Sequence, residues 1–91
     1  MAKSVVLVHD DPEFVLMAVL ALVLSGHSAV VYGDPVAAVD ALDDPHTAAD
    51  LLITRTQFQA GKSNGIALAR MMRLHRPDMK LLTMGREQGD S

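Results

Sequence analysis

The sequence predicts an α/β domain built on a parallel sheet, and three observations carry that reading. Short, continuously apolar runs alternate with helical patterns along the chain. Asp11-Pro12 and Asp34-Pro35 each place a capping residue before a proline at the point where a helix should begin. With 91 residues, 49% of them hydrophobic, the chain has material for one core and one domain.

Each element follows from local signals. Ser4–His9 is a β-branched run that stops at Asp10-Asp11-Pro12, a buried strand ending in a polar turn. A helix runs from about Pro12 to Ser25, with Gly26 as its stop. Ser28–Tyr32 is a second strand closed by Gly33. Val36, Val39 and Leu42 give the stripe of a short helix before Asp43-Asp44-Pro45. Leu51–Thr54 is a third strand, and Thr56–Asn64 a polar loop. Ile66, Leu68, Ala69, Met72 and Leu74 mark the inner side of a third helix ending near Pro77. Met79–Met84 is a fourth strand, followed by a polar tail. The continuous apolar character of the strands predicts cover on both faces of the sheet.

Composition excludes several classes. The chain has no cysteine, so it holds no disulfide and no thiolate metal site. His9, His27, His46 and His75 show no i,i+4 pairing, which argues against a transition-metal site. The longest apolar run, Phe14–Leu24, is eleven residues, about half a membrane span. Acids precede that run where a secretory signal carries bases, so a cytoplasmic protein is expected. Residues 1–54 hold eight acids and one base; residues 55–91 hold seven bases and three acids. The plainer reading is that the halves complement each other within one fold. A nucleic-acid surface on Arg70, Arg73, Arg76 and Lys80 is the weaker one, because no aromatics accompany them. Gly61-Lys62-Ser63 resembles the end of a P-loop, but Thr56 stands where its first glycine belongs.

In open α/β sheets the chemistry lies beyond the carboxyl ends of the strands. Those ends are His9-Asp10-Asp11, Tyr32-Gly33-Asp34, Thr54-Arg55-Thr56 and Thr83-Met84-Gly85. Val6-Leu7-Val8-His9-Asp10-Asp11-Pro12-Glu13 resembles the opening of response-regulator receiver domains, where acids after the first strand bind Mg²⁺. Asp50–Thr54 resembles that family's third strand, Asn64–Ala69 the start of its third helix, and Lys80–Thr83 its fourth strand. The resemblance covers nearly the whole chain in order and spacing. It implies a flavodoxin-like, three-layer fold with a four-stranded parallel sheet ordered 2-1-3-4, over residues 1–85, with 86–91 as a polar tail. It also implies a role in two-component phosphorelay signalling, with a histidine kinase or another signalling protein as partner.

The departures from the family shape the expected function. Arg55 stands where the resemblance places the phosphoacceptor aspartate, and no acid occurs from Leu51 to Pro77. His9 replaces the first metal-binding acid. The family's fifth strand and its fourth and fifth helices have no counterpart here. A cation at Arg55 removes a ligand, repels Mg²⁺ and can pair with Asp10. Asp11 reads first as a helix cap. The expectation is a pseudo-receiver that is not an enzyme and takes no cofactor, with Asp10 as the one weak candidate Mg²⁺ ligand. His9, Asp10, Asp11, Arg55 and Thr83 form its remnant site, and it acts by protein–protein contact. Two alternatives stand beside it: phosphate acceptance at Thr54 or Thr56, and nucleic-acid binding by the basic half.

The first helix points to a partner. Phe14–Leu24 has no polar side, and Met79–Met84 forms an apolar edge. A homodimer is expected through Phe14, Met17, Ala18, Ala21 and Leu24, with Leu81 and Thr83 of the fourth strand. The competing expectation is that a further segment of a longer protein covers this surface.

Overall fold

The computed structural model describes residues 2–55 and 65–84. The predicted loop at Thr56–Asn64, with Gly61-Lys62-Ser63, and the polar tail lie outside the described residues. In chain order the elements are β1 (Ser4–Val8), α1 (Pro12–Leu24), β2 (Ser28–Tyr32), α2 (Pro35–Leu42), β3 (Leu51–Arg55), α3 (Gly65–His75) and β4 (Lys80–Met84). The four strands form one all-parallel sheet in the order β2-β1-β3-β4. Val6 pairs with Val30 on one side and Leu52 on the other, and Leu52 pairs with Leu81. The architecture is consistent with a flavodoxin-like fold.

Right-handed crossovers place α1, which leads outward to β2, on one face. They place α2 and α3 on the other. The face beneath α2 and α3 holds the main core: Val6, Val8 and Leu52 against Ala38, Leu42, Leu68 and Met72. Val5 and Leu7 alternate onto the α1 face and are also buried. Asp50 ties the strand starts together. Its carboxylate accepts from the Ser4 N–H at 2.8 Å, and its carbonyl accepts from the Lys80 N–H at 3.1 Å.

The helix ends obey the capping signals. Asp11 accepts from the Glu13 N–H at 3.1 Å, with Pro12 in the first turn of α1. Asp34 accepts from the Val36 N–H at 3.4 Å at the start of α2. Gly26, at φ 88°, closes α1: its N–H donates to the Val23 carbonyl and that of His27 to the Leu22 carbonyl. This is a Schellman arrangement, and its left-handed position is why glycine stands there.

Four expectations need correction. Double cover holds for β1 alone: in β3 only Leu52 and Thr54, on the α2 and α3 face, are buried, and the edge strands β2 and β4 have no fully buried residue. In α2 the buried side chains are Pro35, Ala38 and Leu42, while Val36 faces outward and Val39 is partly buried. In α3 the inner row is Leu68 and Met72, one turn apart, and Leu74 is 82% exposed. Two residues beyond Met72 is a rotation of about 200°, which carries Leu74 to the far side. The fourth strand begins at Lys80; Met79 is buried in the turn before it.

Candidate functional site

The crevice at the carboxyl ends of β1 and β3 brings together His9, Asp10, Asp11 and Arg55. β1 and β3 are neighbours in register, Val8 opposite Thr54, so the residues that follow meet at one level. Arg55, the last residue of β3, donates from a guanidinium nitrogen to the Asp10 carboxylate. The Asp10 side chain is 8% exposed and that of Arg55 36%. The carboxylate is therefore sunk in the crevice and the guanidinium reaches it from the rim. Such a pair gains from its lowered dielectric surroundings and from a charge-assisted hydrogen bond.

His9 is buried beside this pair. Its ring stacks on Phe14 of α1, with centroids 4.2 Å apart and planes 21° from parallel. Its Nδ1 accepts the Asp11 N–H at 3.0 Å, which places the ring proton on Nε2 in the neutral form. Burial pushes the His9 pKa below its ordinary 6.5, and the Arg55 charge pushes the same way; Asp10 and Asp11 oppose them. The imidazole is thus a neutral acceptor that orients the start of α1.

The acids of this edge are committed to other work. Asp11 caps α1, Asp34 caps α2, and Asp10 holds Arg55. A hard divalent cation needs several oxygens converging on one point. Among the described residues no group of three or more metal-ligating side chains converges. Thr83 is exposed on β4, opposite Thr54. Thr54 is 1% exposed, and its hydroxyl donates to the Arg55 carbonyl at 3.1 Å. A hydroxyl so enclosed is not presented to a phosphodonor. Thr56 lies outside the described residues.

Of the expected partner surface, Met17, Ala21 and Leu24 are exposed, while Phe14 and Ala18 are half-buried. Leu81 packs against the core under α2 and α3, on the opposite side of the sheet from α1. The outward residue of β4 on the α1 side is Leu82. No helix among the described residues is long and apolar enough to cross a membrane.

Two features were not found from sequence. The stacking and acceptor role of His9 is one; its only signal was a histidine in place of an acid. The other is Arg76, read there with the basic side chains of a solvated face. It donates from Nε to the Leu42 carbonyl at 3.0 Å and from a terminal nitrogen to the Asp44 carbonyl at 2.6 Å. With His75 facing Asp43 at 3.6 Å, this clamps the C-terminal end of α2 to the end of α3. It is a contact between the acidic and basic halves of the chain, as is the Arg55–Asp10 pair. A hollow of about 510 Å³ lies beside this clamp, at the opposite edge of the sheet from Asp10. It is a structural recess away from the candidate site. No family model matches the sequence, and no curated protein matches it.

Proposed function

We propose that this chain is a receiver-like domain whose carboxyl-edge crevice is held by an internal ion pair in place of metal and phosphate. It serves signal transduction in the cytoplasm through protein–protein contact. The observation that carries the reading is the Arg55–Asp10 pair. A fixed guanidinium supplies, at the end of β3, a permanent positive charge. In the domains that the sequence resembles, that position undergoes a change of charge. The crevice therefore has one electrostatic state, and what it shows to a partner does not depend on a kinase. The capping roles of Asp11 and Asp34 support this, since they draw the remaining acids of the edge away from a shared metal point. The enclosure of Thr54 argues against a substitute acceptor there.

The reading is tested by titrating the chain with Mg²⁺ and following backbone amide resonances. The expected result is no saturable shift at Asp10, Asp11 or Arg55 up to about 10 mM, far above the affinity of a built carboxylate site. Saturable shifts confined to those residues would contradict the proposal.

A further inference from the structure

Among the described residues, one face of the sheet carries two helices and the other carries α1. Four strands at about 4.8 Å spacing make a sheet roughly 19 Å wide. Packed helices lie about 8–10 Å apart, so each face has room for two. α1 rests against β2, with Val5 and Leu7 of β1 buried on that face. The strip over β3 and β4 is then one helix wide, floored by Leu51, Ile53 and Leu82, and no described element covers it. Leu82 is 50% exposed.

The solvent side of α1 is as apolar as the side it buries. Leu16 is 70% exposed, Met17 71% and Leu24 77%, with Leu20 between them. No residue of the helix is fully buried. A helix that is apolar all round is one that is covered all round. Among the described residues, then, a helix lacks cover on its outer side and a sheet strip lacks a helix.

We propose that two copies of this chain pair face to face about a two-fold axis parallel to the strands. α1 of each copy then lies in the open strip over β3 and β4 of the other. The direction of the axis follows from the geometry. An axis across the strands would stack each helix on its own image and leave both strips empty. The axis along the strands sets the two helices side by side and parallel in a single layer between two sheets. Each α1 then touches its own sheet, its twin and the opposite sheet, which accounts for the absence of a polar side.

Area and charge both favour a second copy as the occupant. The exposed side chains of α1 with Leu82 and Val31 amount to several hundred Å², more than the ~400 Å² patch a monomer ordinarily tolerates. That approaches the ~800 Å² per partner of a standard interface. From Phe14 to Leu24 the surface carries no charge, so it meets its own image without like-charge repulsion. Arg55 and Lys80 stand at the two ends of the strip, at its rim. The inference rests on the packing of α1 and not on the signalling reading, since a chain that accepted phosphate could pair in the same way.

Sedimentation of the 91-residue chain over about 1–200 µM tests it, with Leu20→Glu on the helix, Leu82→Glu on the strip and Val36→Glu on the α2 face as control. The expected species has twice the 9.8 kDa chain mass. Leu20→Glu and Leu82→Glu should each weaken pairing by about 30-fold or more, as central interface residues do. Val36→Glu should leave pairing unchanged. All three side chains are exposed, so far-UV circular dichroism should match the parent. If either test variant loses its fold, Leu20→Ser and Leu82→Ser replace them under the same limits. A chain that stays monomeric throughout, because another protein or another segment provides the cover, would overturn the inference. So would a dimer that survives Leu82→Glu, because helix-to-helix contact alone would then hold it.

Discussion

Asp10 and Arg55 are unequal partners, and the inequality makes a prediction. Arg55→Ala removes one charged partner of a carboxylate that has little access to water, and should destabilise by about 1–3 kcal/mol. The range is set below that of a fully buried pair because Arg55 is itself over a third exposed. Asp10→Asn leaves a guanidinium that can turn to solvent, so it should cost about 1 kcal/mol or less. Urea denaturation of the two single variants and the double variant reads the coupling between the two side chains. His9 makes a second prediction. Its pKa is lowered in the folded chain, so between 6.5 and that lower value the unfolded state binds the extra proton. Stability therefore falls as pH drops through 6.5 and stops falling, as far as His9 is concerned, below the folded pKa. Protonation would also cost the Asp11 N–H its acceptor. A proton NMR titration should place the His9 midpoint below 6.5, and His9→Gln should flatten this part of the stability profile.

At the scale of elements, capping and packing divide the work. Asp11→Ala should cost about 1 kcal/mol through the lost cap of α1. Gly26→Ala should cost about as much, through a side chain forced to φ 88°. Met72→Ala, in the core between α3 and the sheet, should cost about 2–5 kcal/mol. Thermal or urea unfolding ranks the three, and Met72→Ala should be the most damaging. These elements were legible in the sequence because their signals are local. Asp11-Pro12, Asp34-Pro35 and Gly26 act within a turn of where they stand, and the strands are unbroken apolar runs. Which face of a short helix turns inward was less legible. Val36 and Leu74 look like core residues by type, yet the sheet lies under Ala38 and Met72. The Arg76 clamp was not legible at all, because it joins residues more than thirty positions apart through backbone carbonyls that carry no sequence mark. The Arg55–Asp10 pair could be anticipated only because parallel strands bring their carboxyl ends to one level.

At the scale of the whole molecule, the sheet has two ends with different tasks. The amino-terminal edge is a structural seam, with Asp50 tying the strand starts and Arg76 the helix ends. The carboxyl edge holds the crevice where chemistry would be expected, and an internal charge pair occupies it. The faces differ as well: among the described residues one is closed by α2 and α3, and the other is half closed by α1. In this account the molecule is a scaffold with a fixed crevice and an adhesive face, and its signalling value lies in what it binds. The most direct test of that claim is the intact mass of the chain after incubation with a small-molecule phosphodonor, with and without Mg²⁺. The account predicts an unchanged mass under conditions that fully label an ordinary receiver. A Mg²⁺-dependent gain of one phosphoryl group would contradict it.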